Sequence, residues 1–274
     1  MPELPEVETV RRSLERRLLG RRIAAVRVLN PKLRTPLRQA SLRRRLVGQN
    51  FVGLGRRAKY LLLHLSGSDI LVLHLGMSGR LLFVPGAAPL EAHTHVRLGL
   101  DDGNELRYRD HRRFGRLFVV RRHLLPRHPL FSHLGPEPLE PGCTAAYFRA
   151  RSRGVRRPVK NFLMDATVVV GVGNIYASEA LHRAGVHPAT PAARLTLPRW
   201  ERVHAAVQST LQEALRAGGT TLSDFRAADG SAGEFQVQLA VYGRAGEPCG
   251  RCGRRLRRIV QAGRSTFYCP GCQR

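Results

Sequence analysis

Four cysteines constrain the end of this 274-residue chain more tightly than any other feature in it. Cys249 and Cys252 form one Cys-x2-Cys knuckle, Cys269 and Cys272 form another, and 16 residues separate them. Two knuckles at this distance fit the four-cysteine zinc pattern, in which each supplies two thiolates about a turn apart and a tetrahedral ion closes the site. The spacing predicts a hairpin folded around one structural Zn2+, with Cys249, Cys252, Cys269 and Cys272 as ligands. A pair of structural disulfides is the alternative. It would need an oxidising compartment, and no secretory-signal pattern is legible to supply one. The fifth cysteine, Cys143, is left over and is expected to be a buried or idle thiol.

The other end of the chain carries a different signal. In Pro2-Glu3-Leu4-Pro5-Glu6-Val7-Glu8-Thr9 a proline stands next to a carboxylate. A start Met ahead of a small residue is normally removed, so the Pro2 ring nitrogen is expected to become the chain terminus. An α-amine has a pKa of roughly 7.7–8, against about 10.4 for lysine. Near neutral pH a substantial fraction is therefore neutral and nucleophilic. Because proline is a secondary amine, its attack on a sugar C1′ gives a cationic iminium, a good electron sink. The neighbouring Glu3 carboxylate can move the protons that attack and ring opening require. Ordinary terminal sequence is the plainer reading of these residues taken alone.

Charge narrows the partner. The formal net charge is +26 and the pI is near 11.5, which implies a polyanionic partner, most simply nucleic acid. Lys32, Lys59 and Lys160 are the only lysines, so 43 of the 46 basic residues are arginine, the better bidentate phosphate ligand. The skew can also reflect genomic base composition. The length suggests two domains, and 43% apolar residues suffice for real cores. No apolar run approaches the roughly 18 residues of a membrane span.

Along the chain, Pro5 and the acids Glu6 and Glu8 open a helix, with arginines downstream. Val7, Val10, Leu14 and Leu18 recur at helical spacing and give it one buried face. From about Arg22 to Val120 the pattern changes to short β-runs. These are Ile23–Leu29, Tyr60–Leu65, Ile70–Leu75, Arg80–Val84, His95–Leu100, Glu105–Arg109 and Arg116–Val120. Turn signals such as Ser66-Gly67-Ser68-Asp69 and Asp101-Asp102-Gly103-Asn104 lie between them. Seven strands without intervening helices predict an antiparallel sandwich or flattened barrel. A proline-rich stretch from Pro126 to Pro141 marks a boundary. Beyond it helices are expected at Thr144–Arg151, Tyr176–Ala184 and Pro198–Ala217, then a Gly-, Ser- and Asp-rich loop, then the cysteine hairpin.

Three further segments bear on nucleic acid. Gly171-Val172-Gly173-Asn174 stands just before a helix, where backbone amides, an Asn side chain and the helix dipole can cradle a phosphate. Arg112-Arg113-Phe114-Gly115 follows a strand and pairs cations with a ring able to enter a base stack. His74-Leu75-Gly76-Met77-Ser78-Gly79 puts a Met on a tight glycine turn, as an exposed wedge or as core.

Taken together, these segments resemble the formamidopyrimidine-DNA glycosylase family, bacterial-type enzymes that remove 8-oxoguanine and ring-opened purines. The resemblance runs the whole length, through MPELPEVETV, RRAKYLLLHL, HLGMSG, DHRRFG, HLGPEPL, LMDATVVVGVGNIYASEAL, GGTTLSDF, VYGRAGEPC and RSTFYCPGC. It implies an α+β fold: an N-terminal antiparallel β-sandwich with an N-terminal helix, a helix–two-turn–helix domain and a C-terminal zinc ribbon. The corresponding bounds are 1–125 for the catalytic sandwich, 126–141 for a linker, 142–235 for the helical domain and 236–274 for the zinc hairpin. A lid loop over 218–233 is expected to read the damaged base.

The resemblance makes Pro2 the nucleophile, Glu3 its proton-shuttling partner, and Lys59 the lysine that assists β-elimination. Arg264 is tied to the second elimination. Met77, Arg112 and Phe114 resemble the residues that fill the gap left by an everted nucleotide. His74, His93, Arg156, Lys160, Asn174, Tyr242 and Arg264 resemble DNA-backbone contacts. The implied activity is a bifunctional glycosylase and AP lyase of base-excision repair, with no soluble cofactor. Its implied partner is double-stranded DNA carrying oxidised bases or abasic sites. The chain is expected to be a cytoplasmic, nucleoid-associated monomer without membrane contact. Two rivals remain: an endonuclease VIII-like enzyme for oxidised pyrimidines, and a non-catalytic zinc-ribbon DNA-binding protein. Leu4 and the GGTTLSDF block favour the purine enzyme over the first, and the Pro2-Glu3 pair with Lys59 argues against the second.

Overall fold

Helix α1 (Leu4–Leu18) begins where the sequence puts its start signals. Glu3 is the N-cap, Pro5 lies in the first turn, Glu6 sits at the positive end of the dipole, and Arg16 and Arg17 close the other end. Val7, Val10, Leu14 and Leu18 are all buried, so the helical stripe read from the sequence is the face that enters the core. Replacing Leu14 or Leu18 by Ala should destabilise the unit by about 2–5 kcal/mol. In the computed structural model, residues 2–219 and 239–274 are described. They fall into two compact units, 2–132 with 218–219, and 133–217 with 239–274.

In the first unit eight strands follow α1. They are β1 (Ile23–Val28), β2 (Phe51–Arg57), β3 (Tyr60–Leu65), β4 (Asp69–His74), β5 (Arg80–Pro85), β6 (Thr94–Leu100), β7 (Asn104–Arg109) and β8 (Arg116–Arg121). They form two four-stranded antiparallel sheets, ordered β1-β6-β7-β5 and β2-β3-β4-β8. One core joins both sheets to α1, through Val10 and Leu14, Leu61 and Leu71, and Val96 and Leu98. The central strand β4 is buried along four consecutive residues, whereas edge strand β1 exposes three of its six.

Two elements of this unit escape the sequence reading. Strand β2 has Gly53 and Gly55 within it, which weaken any β-pattern. In the structure these glycines leave room for His64 on β3: a Cβ on Gly55 would lie 3.2 Å from His64 Nε2. Helix α2 (Gln39–Leu46) buries only Leu42 and Leu46, too few points to define a period.

The second unit is helical. It contains α3 (Ala145–Arg151), α4 (Val159–Leu163), α5 (Asn174–Ala184) and α6 (Leu197–Arg216). Thr144 caps α3, its hydroxyl accepting from Tyr147 N–H at 3.0 Å, and Gly185 ends α5 with φ +69°, a left-handed conformation suited to glycine. Trp200 of α6 is fully buried, stacked on Phe148 with ring centroids 5.4 Å apart. The five-residue α4 is too short to announce itself by periodicity. The cysteine hairpin, β9 (Arg257–Gln261) and β10 (Arg264–Tyr268), completes the unit. Among the described residues no helix is long and apolar enough to cross a membrane. The expected lid lies, beyond Gly218 and Gly219, outside the described residues.

Candidate functional site

In the first unit the candidate residues sit just ahead of α1, at the end of β4 and on strand-connecting turns. Glu3 is almost wholly buried, its N–H donates to Glu6 Oε2 at 2.8 Å, and the two glutamates form a reciprocal capping box. This fixes Glu3 at the positive end of α1, directly behind a partly exposed Pro2. Lys59 occupies the two-residue turn that joins β2 to β3, preceded by Ala58 in a left-handed conformation at φ +54°. Arg56 stabilises that turn by donating to the Ala58 carbonyl at 2.8 Å.

His74, at the end of β4, has its pKa pushed down to about 4, first by burial and then by the charges of Lys59, Arg116 and Arg34. Its Nδ1 accepts the Gly76 N–H at 3.1 Å. The ring is therefore neutral near pH 7. A phosphate would meet an N–H donor here, not a cation. Tyr60 packs on the same ring, 4.8 Å between centroids.

Met77 and Phe114 are 39% and 45% exposed, and both stand on turns between strands. The choice left open for Met77 is thus settled against core. Arg112 lays its guanidinium over the Phe114 ring at 5.0 Å from the centroid. His93 and Arg113 adopt φ values of +64° and +59°, which cost energy for residues with a side chain. Such strain clusters at residues whose direction matters.

In the second unit α5 acts as a spine for the cysteine hairpin. Near its N-terminus Asn174 donates to the Ser265 carbonyl at 3.0 Å and to the Tyr242 hydroxyl at 3.2 Å. Lys160 differs from the expectation of a direct DNA-backbone contact. It is 1% exposed, and its Nζ donates to Asn174 Oδ1 at 2.5 Å, Thr266 Oγ1 at 2.7 Å and the Ser265 carbonyl at 3.2 Å. An ammonium buried on three protein acceptors orients Asn174 and β10. It does not present itself to solvent. Arg156 is exposed between α3 and α4, and Arg264 is exposed at the tip of the hairpin. Ala262 and Gly263 form that tip with φ of +47° and +70°, the signature of a tight two-residue hairpin turn.

Glu179, midway along α5, escapes the sequence reading. Its carboxylate accepts the N–H groups of Ala240, Val241 and Tyr242 at 2.8, 3.0 and 2.8 Å. An acid in a helical stretch is normally read as a solvated face. Nothing in its spacing reveals that it captures backbone more than sixty residues away.

The four cysteines converge, their sulfurs all within 4.8 Å of one another. Cys249 and Cys272 are 3.9 Å apart, and Cys252 and Cys269 are 3.4 Å apart. Sulfurs at the corners of a tetrahedron with metal–sulfur bonds of about 2.3 Å would be separated by roughly 3.8 Å, so the set fits a metal ion. His182 of α5 places Nε2 3.6 Å from Cys249 Sγ, and burial pushes its pKa down to about 4. Arg251, between the first two cysteines, donates to the carbonyls of His182 and Arg183 at 3.1 and 3.3 Å, tying the knuckle to the C-terminal end of α5. Cys143 is buried, with its thiol pKa pushed up to about 12 by burial, as an inert thiol should be.

Three family models match this chain. The formamidopyrimidine-DNA glycosylase N-terminal domain covers residues 1–117, the H2TH domain of the same family covers 134–226, and the zinc finger found in FPG and IleRS covers 246–274. The formamidopyrimidine-DNA glycosylase of Alkalilimnicola ehrlichii is 51% identical over 280 residues, covering 100% of both chains. That of Acidithiobacillus ferrooxidans is 48% identical over 274 residues, again covering 100% of both. A Lactococcus lactis Fpg solved with DNA containing an oxidised pyrimidine is 35% identical, with a TM-score of 0.92 over 100% of each chain. A point mutant of the same enzyme, solved with DNA containing Fapy-dG, is also 35% identical, at a TM-score of 0.93 over 100% of each chain.

Proposed function

Because the chain belongs to the formamidopyrimidine-DNA glycosylase family, we propose that it excises oxidised purines from duplex DNA and then cleaves the strand. The observation that carries this reading is local: Pro2 stands partly exposed immediately ahead of a Glu3 carboxylate that a capping box holds at the head of α1. Removal of Met1 would make the Pro2 nitrogen a secondary amine within one residue of that acid.

The chemistry follows from those groups. A base inside a duplex is out of reach, so its nucleotide must be flipped out at a cost of a few kcal/mol. Met77, Arg112 and Phe114 offset part of this by filling the gap, while exposed Arg156 and Arg264, with His93 and the neutral His74, hold the phosphates. Pro2 attacks C1′ and displaces the base, and Glu3 delivers the proton that opens the sugar ring. The iminium so formed acidifies C2′, and loss of that proton expels the 3′-phosphate, with Lys59 assisting. Arg264 assists loss of the 5′-phosphate, which completes β,δ-elimination. Zn2+ is the metal we assign to the four cysteines. All four positions are filled by thiolate, which gives it a structural role. Lys160 and Asn174 brace the hairpin that presents Arg264. We place the enzyme on DNA in the cytoplasm, acting as a monomer.

The test is borohydride trapping on duplexes carrying 8-oxoguanine, with parallel duplexes carrying thymine glycol. Reduction of the iminium should leave the protein covalently on the 8-oxoguanine strand. A tag that leaves Pro2 internal should abolish the adduct, and an undiminished adduct would remove Pro2 from the mechanism. The thymine glycol arm matters because the Lactococcus lactis relative was solved with an oxidised pyrimidine. Stronger trapping there would favour the endonuclease VIII-like substrate range.

A further inference from the structure

Three loops of the first unit, those carrying His93, Met77 and the Arg112–Phe114 block, meet at one residue that no step above uses. Asp110 follows β7 and is completely buried. Its N–H donates to the His93 carbonyl at 3.1 Å, and its own carbonyl accepts from His95 Nε2 at 2.8 Å and Arg113 N–H at 3.3 Å. Its side chain links the other two loops. Oδ1 accepts from Ser78 Oγ at 2.5 Å, and Oδ2 accepts from Gly115 N–H at 2.8 Å and from the Tyr108 hydroxyl at 3.4 Å. Ser78 Oγ in turn accepts the Arg112 N–H at 3.1 Å.

The loops touch backbone to backbone around this carboxylate. A Cβ on Gly76 would lie 2.6 Å from Gly115 N, and one on Gly115 would lie 1.7 Å from the Tyr108 hydroxyl. Met77 and Phe114, each next to one of these glycines in sequence, are the exposed apolar groups on this knot. A buried carboxylate is costly unless donors are already in place for it, and hydrogen bonds to a charged acceptor are shorter and stiffer than neutral ones. Such an arrangement suits a part that must keep its shape while something pushes against it.

We infer that Asp110, relayed through Ser78, is the positioning residue that locks Met77, Arg112 and Phe114 into one rigid unit, so that they enter the base stack together. The inference rests on the proposed gap-filling role of those three residues. The carboxylate touches no DNA. It fixes the distance and direction between the Met77 turn and the Phe114 turn. Without it either wedge would give way separately under the load of unstacking.

The test compares Ser78→Ala, Asp110→Asn and Phe114→Ala by stopped-flow fluorescence of 2-aminopurine placed beside 8-oxoguanine in a duplex. Each variant is also assayed for single-turnover cleavage of the same lesion in a single strand, which needs no wedge. Ser78→Ala removes the relay and leaves the Gly115 bond. Asp110→Asn is near-isosteric but puts a donor where Ser78 or Gly115 also donates. Both should slow the fluorescence rise about tenfold, as loss of a charge-assisted bond predicts, while single-strand cleavage stays within about twofold. Combining Ser78→Ala with Phe114→Ala should add little further slowing, because both act on one unit. If Phe114→Ala opens the duplex at the native rate, the gap-filling reading itself fails. If Phe114→Ala slows opening and the other two variants do not, this inference alone is overturned. Equal losses on duplex and single strand, or unfolding of both Ser78→Ala and Asp110→Asn, would make Asp110 a determinant of the fold and overturn it likewise.

Discussion

Replacing Glu179 by Gln tests whether one buried acid holds the chain segment that brings Tyr242 to Asn174. The carboxylate receives three backbone N–H groups, two on Oε1 (Val241 and Tyr242) and one on Oε2 (Ala240), all between 2.8 and 3.0 Å. In the amide, the oxygen can keep the first two at neutral strength, while the NH2 group faces the Ala240 N–H, donor against donor. A hydrogen bond to a charged group contributes about 1.5–3 kcal/mol and a neutral one about 0.5–1.5 kcal/mol. One bond lost and two weakened, less the relief of no longer burying a charge, gives a destabilisation of about 3 kcal/mol. For a protein of this size that lowers the melting temperature by about 6–12 °C. Because Tyr242 accepts from Asn174, which also donates to the Ser265 carbonyl beside Arg264, its release should also loosen that arginine, weakening binding to an abasic-site duplex and flattening the salt dependence by up to about one phosphate contact. Calorimetry and fluorescence anisotropy across a salt series measure both. A Glu179→Gln protein with native melting and native salt slope would refute the reasoning, because then the three N–H groups find equal partners without the charge.

Chelation of the metal, or Cys249→Ser, should cost DNA binding and strand cleavage together, since the tip between Cys252 and Cys269 presents Arg264; zinc-free protein binding an abasic-site duplex at native affinity would make the hairpin dispensable. Arg264→Ala should lower affinity on damaged and undamaged duplexes alike and reduce the salt slope by about one, as expected of a phosphate contact, and anisotropy over a salt series reads this directly. His74 is held neutral down to about pH 4, whereas a free imidazole protonates near 6.5. Between those values the unfolded chain binds the proton and the folded chain does not, so stability contributed by neutral His74 is present above pH 6.5 and is lost as pH falls towards 4. Acid-unfolding curves of the native protein and His74→Gln should therefore diverge in that window, and coincident curves would show that the imidazole titrates normally.

Features that depend on near neighbours were legible before any coordinates. A start signal around Glu3 and Pro5 followed by Val7, Val10, Leu14 and Leu18 suffices for α1, because capping and a 3.6-residue stripe act over a few residues. The same holds for the long amphipathic α6, for seven strands bounded by Gly and Asp turns, and for a metal set in which each knuckle closes over two residues. Strand β2 and helices α2 and α4 were not legible. The first is stabilised by its pairing with β3 and by the fit of His64 over two glycines, and the others are too short to show a period. Where individual side chains end up follows from the assembled fold. Lys160 reads as a DNA-backbone contact, yet its ammonium is buried on Asn174, Ser265 and Thr266, up to 106 residues away. His74 reads as a DNA-backbone contact, and its neutral state is set by burial beside Lys59, Arg116 and Arg34. Nothing in the sequence singles out Asp110 or Glu179, and each gathers donors from distant segments. Desolvation and the supply of preorganised donors depend on which parts of the chain arrive at one point, and sequence spacing does not encode that arrival.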